Sequence, residues 1–159
     1  MKYFIRPMCK DDYLQVAEVY NSNGRFLAEH LGMERVDERF VAKESLKMKR
    51  VGFTSCVIEA GEDCRVRGIL EYRPGKEAYL SLLMLASDLH GRGMGRDIYA
   101  RFEARLLPAG CETVRIDVVR DYPGNAAPFW QKLGFVECET VKLEWGEKHS
   151  DAVVMRKTL

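Results

Sequence analysis

The sequence lacks several features that would assign it to a specialised class of protein. It has no apolar run of the roughly 18 residues that a membrane-spanning helix needs, and its first residues lack the apolar core of a secretory signal. Its five cysteines include no Cys-x-x-Cys pair and no histidine at metal-ligand spacing. We therefore expect a cytoplasmic protein with free thiols, no bound metal and no membrane partner. Cys56 and Cys138 lie in apolar, strand-like runs, so we expect both to be small buried side chains rather than catalytic thiols.

The sequence also has no large excess of positive or negative charge. Lys and Arg number 25 against 24 Asp and Glu, which leaves a formal net charge of +1. A protein with this balance has no overall attraction to nucleic acid or to an anionic membrane surface. Any polyanionic ligand has to be held by a local cluster of donors.

The chain shows no internal repeat, linker or low-complexity segment. Its 159 residues, 47% of them hydrophobic, are enough for one core of ordinary size. We therefore predict one α/β domain over residues 1–159.

Hydrophobic periodicity predicts alternating strands and helices. Asp11 or Asp12 is expected to cap a first helix that ends near Tyr20, and one or two short amphipathic helices are expected within residues 25–50. A short helix is expected at residues 126–133, with Gly134 after it. The predicted strands are residues 3–6, 53–60, 67–72, 113–119, 135–145 and 151–157, in addition to the strand described next.

The most informative stretch runs from residue 78 to residue 107. It reads as an apolar strand, a glycine-rich turn and a helix whose apolar face is formed by Ile98, Phe102 and Leu106. Glycines at 91, 93 and 95 allow a tight turn and leave backbone amides uncovered where the helix begins. Arg92 and Arg96 add positive charge beside the positive end of the helix dipole. The pattern predicts a site for a phosphate or a pyrophosphate.

Two well-known phosphate-binding patterns do not fit this turn. A P-loop ends in Gly-Lys-Ser/Thr, which is missing here. The dinucleotide fingerprint Gly-x-Gly-x-x-Gly would need a third glycine at Arg96 or at Ile98.

The turn from His90 to Gly95 resembles the acetyl-CoA pyrophosphate loop of the GNAT (GCN5-related N-acetyltransferase) superfamily, whose pattern is Gln/Arg-x-x-Gly-x-Gly/Ala. Residues 125–135, Asn-Ala-Ala-Pro-Phe-Trp-Gln-Lys-Leu-Gly-Phe, are similar to the second signature of that family. Residues 152–159 are similar to its closing strand. The likeness is clear over the C-terminal half, and over the N-terminal half it extends only to the order of the elements.

The resemblance implies a fold, an activity and a cofactor. The fold is a mixed, mostly antiparallel sheet of six or seven strands flanked by helices, which splays apart at its central parallel pair. The activity is direct transfer of an acetyl group from acetyl-CoA to a primary amine of a small molecule or peptide, in a ternary complex. The residues that would contact the cofactor are Met84, Leu85, His90, Gly91, Arg92, Gly93, Met94, Gly95, Arg96, Asn125 and Trp130.

The resemblance also bears on catalysis. Leu85 would donate its amide to the acetyl carbonyl oxygen, where negative charge develops. An amine of pKa about 10.4 loses its proton at pH 7 at a cost of roughly 4 to 5 kcal/mol, so a base or a desolvated site has to help. Glu71 and Asp117 are both candidates for that base, and a solvated or salt-bridged strand residue is the alternative for each.

Three positions depart from the family pattern. His90 stands where Gln or Arg is usual, although it can still donate a hydrogen bond. Trp130 replaces the tyrosine that many members use to protonate the departing thiolate; Tyr122 could substitute for it or be an ordinary hydrogen-bonded tyrosine. Asn125 lies five residues before that aromatic position rather than the more usual seven.

Two further functions are weighed against acetyl transfer. A catalytically silent acyl-CoA-binding module, acting as a sensor or scaffold, would bind acetyl-CoA without turnover. A nucleic-acid-binding module is disfavoured because the chain lacks a basic stripe with interleaved aromatics. The acceptor itself is not specified by the sequence, and a homodimer could form through exposed edge strands of the last hairpin.

Overall fold

The computed structural model describes residues 1–145 and 148–159, which form a seven-stranded sheet of order β1-β2-β3-β4-β5-β7-β6. Neighbouring strands run antiparallel except for β4 and β5, which are parallel. The strands are β1 (Tyr3–Pro7), β2 (Thr54–Ala60), β3 (Arg65–Arg73), β4 (Glu77–Leu85), β5 (Thr113–Val119), β6 (Val136–Trp145) and β7 (Lys148–Thr158).

The helices lie between the strands at the predicted places. They are α1 (Tyr13–Ser22), α2 (Gly24–Phe26), α3 (Glu38–Arg50), α4 (Met94–Leu106) and α5 (Ala127–Lys132). The one-turn helix α2 continues into a π-helical turn, Leu27–Leu31, a rare element that is often found at functional sites. Within the described ranges, no helix combines the length and the apolar character that crossing a membrane requires.

The sheet is covered on both faces because its strand residues alternate between two cores. Along β2, Cys56 and Ile58 pack with Phe102 of α4, whereas Val57 between them packs with Val16 of α1. Helices α4 and α5 therefore cover one face, and α1 and α3 cover the other.

The splay expected at the central parallel pair is confirmed. Strands β4 and β5 keep register only from Glu77–Thr113 to Tyr79–Arg115, although both continue beyond those residues. A bulge at Ser81 shifts the pairing of β4 with β3 at the same level. Because a bulge bends its strand, the end of β4 turns away from β5 and a gap opens inside the sheet.

The expected helix cap at Asp11 or Asp12 is wrong in its chemistry. Asp12 precedes α1, but its carboxylate accepts two hydrogen bonds from Arg6, each of 2.8 Å, and one from the Cys9 amide. The Arg6 guanidinium lowers the pKa of Asp12. The buried carboxylate therefore ties α1 to β1 instead of capping the helix.

The five thiols are free, as expected, but Cys138 is exposed and not buried. It lies where the pairing of β6 with β7 shifts between Glu137 and Glu139. The extra residue of this bulge turns outward, which the apolar sequence around it did not reveal.

Candidate active site

The glycine-rich turn joins the end of β4 to the start of α4. Gly91 and Gly93 have φ angles of 73° and 78°, in the left-handed region where a side chain would be strained. Gly93 precedes the first residue of α4, so the unpaired amides of the first helical turn begin here. A cavity of about 530 Å³ opens over the turn. A backbone cradle at a helix N-terminus is well suited to an anion such as pyrophosphate.

The rest of the turn adds charge and shape to this cradle. Arg92 and Arg96 are exposed beside it, and Met94 and Arg96 line the cavity. A Cβ atom on Gly95 would lie 3.5 Å from the ring of Phe129, so the glycine lets α5 approach α4 closely at this point.

His90 turns back toward the strand that precedes it. Its Nε2 lies 3.0 Å from the backbone oxygen of Leu85, which also accepts a 2.9 Å hydrogen bond from Nδ2 of Asn23. Since a carbonyl oxygen can only accept, Nε2 of His90 carries the proton. The side chain therefore fixes the end of β4.

The backbone direction along β4 distinguishes Met84 from its neighbours. The amide of Ala86 donates to Arg67 of β3 at 2.8 Å, and backbone donors point to alternate sides along a strand. The amide of Met84, paired with Ile69, therefore faces β3, as does that of Ala86. The amides of Leu83 and Leu85 face the gap toward β5, which singles out Leu83 where the family resemblance had indicated Met84.

The gap is continuous with the cradle over the turn. A cavity of about 400 Å³ lies beside the turn and is lined by residues of the turn and of the loop before α5. A smaller cavity of about 130 Å³ lies between β4 and β5. Leu83 and Ala126 line all three spaces. A slender ligand anchored at the turn can therefore extend into the sheet.

Tyr122 stands at the inner end of this path. Its hydroxyl lies 3.0 Å from Nε2 of His30, and its ring lies under the guanidinium of Arg25. His30 in turn stacks on Phe26 with 4.2 Å between ring centroids. Burial raises the pKa of Tyr122 and, with the charge of Lys148, lowers the pKa of His30 to about 4. At neutral pH this is a pair of neutral groups that can exchange a hydrogen bond.

Asp117 also faces the gap, but its carboxylate is already occupied. Both oxygens accept hydrogen bonds of 2.9 Å from Arg115, and Tyr79 donates to one of them at 2.9 Å. The side chain is only 3% exposed. This arrangement matches the salt-bridged alternative for Asp117, because Arg115 and Tyr79 already occupy both carboxylate oxygens.

Glu71 lies on the other side of the gap and is differently held. Its carboxylate accepts hydrogen bonds from Ser55 at 2.7 Å and from Ser81, the bulge residue, at 3.1 Å. Burial raises the pKa of Glu71, an effect that the two hydroxyl groups reduce and the charge of Glu44 increases. Only neutral hydroxyls hold Glu71, so no cation occupies its carboxylate as Arg115 occupies that of Asp117.

A pocket of about 200 Å³ contains Glu71. Its wall shares Phe26, Ser81 and Leu82 with the gap between β4 and β5. The pocket that contains Glu71 therefore adjoins the inner end of the gap.

Two of the predicted cofactor residues have structural partners. Asn125 donates to the backbone oxygens of Tyr122 and Arg120 and accepts from the amide of Ala127, so it closes the loop before α5. Trp130 is buried and packs edge-on against Tyr99 at 5.7 Å, while also lining the gap. These contacts assign Asn125 to the loop and Trp130 to the wall of the gap.

The sequence did not reveal the role of Leu83 or the contacts that hold Tyr122 and Glu71. The Leu83 amide follows from strand alternation once the pairing with β3 is known, which a single sequence does not provide. His30 and Tyr122 are 92 positions apart, and Ser55 and Glu71 are 16 apart on different strands, so no local spacing connects them. In the part of the chain that the structure describes, no group of three His, Cys, Asp or Glu side chains is arranged to hold a metal ion.

The sequence matches the family model "Acetyltransferase (GNAT) domain" over residues 17–159. No protein of curated function matches it significantly.

Solved structures share the fold over essentially the whole chain. An acetyltransferase from Thermus thermophilus superimposes with a TM-score of 0.79 at 23% identity, covering 100% of this chain and 98% of that one. A ribosomal-protein-alanine N-acetyltransferase from Brucella melitensis gives 0.68 at 23% identity, covering 98% and 99%. PaiA N-acetyltransferase from Thermoplasma acidophilum, solved in complex with coenzyme A, gives 0.72 at 17% identity, covering 100% of both chains.

Proposed function

Because the chain belongs to the GNAT family of acetyltransferases, we propose that it transfers the acetyl group of acetyl-CoA to a primary amine by direct attack in a ternary complex. The observation that carries the proposal is the continuity of the site. One path leads from the glycine-rich turn through the gap beside β4, and its inner end adjoins the pocket that contains Glu71.

The cradle fits the pyrophosphate of coenzyme A. The amides of residues 92–96 would donate to the phosphate oxygens, and Arg92 and Arg96 would offset their charge. A Cβ atom on Gly91 would meet nothing within 4 Å, so the turn is open to a ligand. When bound, acetyl-CoA supplies an acetyl group activated as a thioester.

The edge of β4 would then hold the pantetheine arm. The amides of Leu83 and Leu85 face the gap, where β5 has diverged and no longer pairs with β4. An extended arm can therefore accept hydrogen bonds from these two amides. One of these amides, with Leu85 as our assignment, would donate to the acetyl carbonyl oxygen. A fixed donor at the atom that gains negative charge is worth about 10²- to 10³-fold in rate.

Glu71 is the proposed general base. The amine nitrogen forms a bond to the acetyl carbon, its proton passes to the Glu71 carboxylate directly or through one water, and the carbon–sulfur bond breaks to release the thiolate. The raised pKa of Glu71 improves its match to an ammonium donor. Asp117, held by Arg115, is not assigned this role.

Tyr122 is the proposed hydrogen-bond donor to the departing sulfur, in place of Trp130, whose indole has no acidic proton. For it to donate in this direction, His30 has to hold the phenol oxygen as an acceptor through its Nε2 proton. A thiol of pKa about 8.5 leaves readily as its anion, so we expect this contribution to be small.

The proposal is tested by following the thermal midpoint during titration with acetyl-CoA. Ligand at about 100 times its dissociation constant stabilises the folded state by roughly 2.7 kcal/mol, or about 5 to 10 °C for a domain of this size. Gly93→Glu should abolish the shift by placing a carboxylate in the cradle. The matched control is Gly110→Glu, which has the same strained φ region (83°) and open space but lies at the other end of α4. No shift in the wild-type protein would overturn the proposal.

Release of coenzyme A in the presence of amines separates the enzyme from a silent acyl-CoA-binding module. Glu71 favours catalysis because a module that only binds the cofactor has no use for a buried carboxylate beside the gap. A protein that binds acetyl-CoA yet releases no coenzyme A with any amine would be the module.

A further inference from the structure

Five aromatic rings line the pocket around Glu71. Each comes from a different element or loop of the chain: Tyr20, Phe26, Phe40, Phe53 and Tyr79. Leu31, Met48 and Leu82 complete the apolar part of the wall. A flat apolar group placed here would bury its faces against rings and not against water.

The rings form two groups with defined geometry. In the first group Tyr20 contacts Phe40 edge-on at 5.8 Å and lies 6.3 Å from Phe26. In the second group Phe53 contacts Tyr79 edge-on at 5.5 Å. These contacts fix the rings within each group, and little free energy is spent on ordering a preformed pocket when a ligand binds.

The charges of the pocket favour one positive group. Glu71 lies inside it, fixed by Ser55 and Ser81, and Glu44 lies at its mouth with Lys47 at 3.9 Å. The inner carboxylate and the surrounding rings both attract an ammonium group. Because Glu44 is already beside Lys47, a second ammonium on the same ligand would either repel that lysine or lie among apolar side chains, where its charge is disfavoured.

The size of the pocket restricts the ligand further. Its volume of about 200 Å³ is below the range of roughly 300 to 1,000 Å³ that is typical for drug-sized ligands. One ring with a short amine chain fills such a space, whereas an aminoglycoside does not fit inside.

From these features we infer that the acceptor is a small primary amine with a single positive charge and a flat apolar body, of the arylalkylamine type. The inference rests on the proposed function, since it assigns the acceptor of the same reaction. In this arrangement the amine nitrogen meets Glu71 beside the gap, and the ring of the substrate lies between the Tyr20 group and the Phe53 group.

The test compares four amines as acceptors at saturating acetyl-CoA, with release of coenzyme A as the readout. They are phenethylamine, n-butylamine, putrescine and a short peptide with an N-terminal alanine. Burial of the ring should make kcat/KM for phenethylamine about 10- to 100-fold higher than for n-butylamine. Putrescine and the peptide should be worse still.

A pair of variants locates the ring. Phe40→Leu should reduce the phenethylamine-to-butylamine ratio several-fold while leaving the thermal shift with acetyl-CoA unchanged. Phe4→Leu is the control, because Phe4 is an exposed ring on β1 outside the pocket. The same ratio in both variants would overturn the inference.

The outcomes separate this inference from the proposed function. If acetyl-CoA stabilises the protein and putrescine or the peptide is the preferred acceptor, the inference is wrong and the acetyltransferase stands. If acetyl-CoA produces no thermal shift, the proposed function fails and the inference fails with it.

Discussion

At the proposed cofactor end of the cleft most of the hydrogen-bond donors belong to the backbone, whereas at the proposed acceptor end the polar groups belong to side chains. The cradle consists of amides around Gly91 and Gly93, and β4 offers the amides of Leu83 and Leu85. The acceptor pocket depends on Glu71 and on aromatic rings from distant segments. Most substitutions leave a backbone amide in place, so a site built from amides tolerates sequence change except where glycine is required or proline is introduced, while a pocket built from side chains can change its substrate by single mutations.

The sharpest test of the acceptor half is Glu71→Gln, which keeps the shape and removes the base. We expect kcat/KM to fall by about 10²- to 10⁴-fold, with the thermal shift by acetyl-CoA unchanged. In the wild-type enzyme the acidic limb of kcat/KM should have its midpoint above 4.5, the ordinary pKa of a glutamate, because burial raises the pKa of Glu71. That limb should be lost in the variant.

Stability should move in the opposite direction in the same variant. A carboxyl whose pKa is raised in the folded state contributes stability that is lost as the pH rises through that pKa. Glu71→Gln should therefore have an equal or higher thermal midpoint at pH 7. Asp117→Asn is the comparison: it should lower the midpoint by leaving Arg115 unpaired, and it should keep the acidic limb. If Asp117→Asn lost the acidic limb of kcat/KM and Glu71→Gln kept it, Asp117 and not Glu71 would be the general base.

The second prediction concerns His30, an imidazole buried at the inner end of the gap, where protonation destabilises the folded state. Its pKa falls to about 4 in the folded protein from an ordinary value of 6.5. The unfolded chain therefore takes up a proton first as the pH falls, and stability is lost between pH 6.5 and pH 4. The span of the two pKa values corresponds to about 3 kcal/mol.

Denaturant unfolding of His30→Gln across this pH range measures that contribution. The variant should lose less stability than the wild type on acidification. His149→Gln is the matched control, since it removes an imidazole that is 72% exposed on β7, outside the buried site. Equal pH slopes in His30→Gln and the wild type would contradict the prediction.

The third prediction tests the backbone of β4. Leu83→Pro removes an amide that faces the gap and so should fold, while weakening acetyl-CoA binding by roughly 2- to 10-fold, the worth of one hydrogen bond. Met84→Pro removes an amide that faces β3 and should unfold the protein or lower its thermal midpoint strongly. Calorimetric titration and thermal unfolding of both variants decide the matter. Equal damage from the two prolines would mean that the direction assigned to these amides is wrong.

The smallest effect is expected for Tyr122→Phe. Loss of the hydroxyl should lower kcat by only a few-fold at pH 7, because a thiolate of pKa about 8.5 is a fair leaving group. The decrease should become smaller as the pH rises, which steady-state kinetics between pH 6.5 and 9 would detect. A loss as large as that of Glu71→Gln would make Tyr122 the principal acid and base of the site.

The sequence predicted the turn and the secondary structure better than it predicted the pocket around Glu71. Periodicity identified the strands and helices because local spacing carries that information, and Ile98, Phe102 and Leu106 are buried on one face of α4 as expected. The turn at Gly91 and Gly93 was found because its chemistry lies within a few consecutive residues. The gap beside β4 was expected from the family resemblance and not from the residues themselves.

The acceptor half could not be predicted because its parts meet only in three dimensions. Glu71 was a candidate equal to Asp117 until the structure placed Arg115 and Tyr79 on the one and two serine hydroxyls on the other. The role of His30 depends on Tyr122 and on Lys148, which binds Glu29 of the π-helical turn from the start of β7. Such long-range pairs leave no periodic signal in one sequence.

The break in pairing between β4 and β5 has a consequence for isotope exchange. Amides at the centre of a seven-stranded sheet normally exchange with deuterium only when the whole molecule unfolds. Leu83 and Leu85 lie on a central strand, yet their amides face a cavity, so we expect them to exchange within the native state. Bound acetyl-CoA would slow the exchange of these two amides to the rate of their neighbours. The exchange rates at two positions in the middle of the sheet would therefore report whether the cleft is occupied.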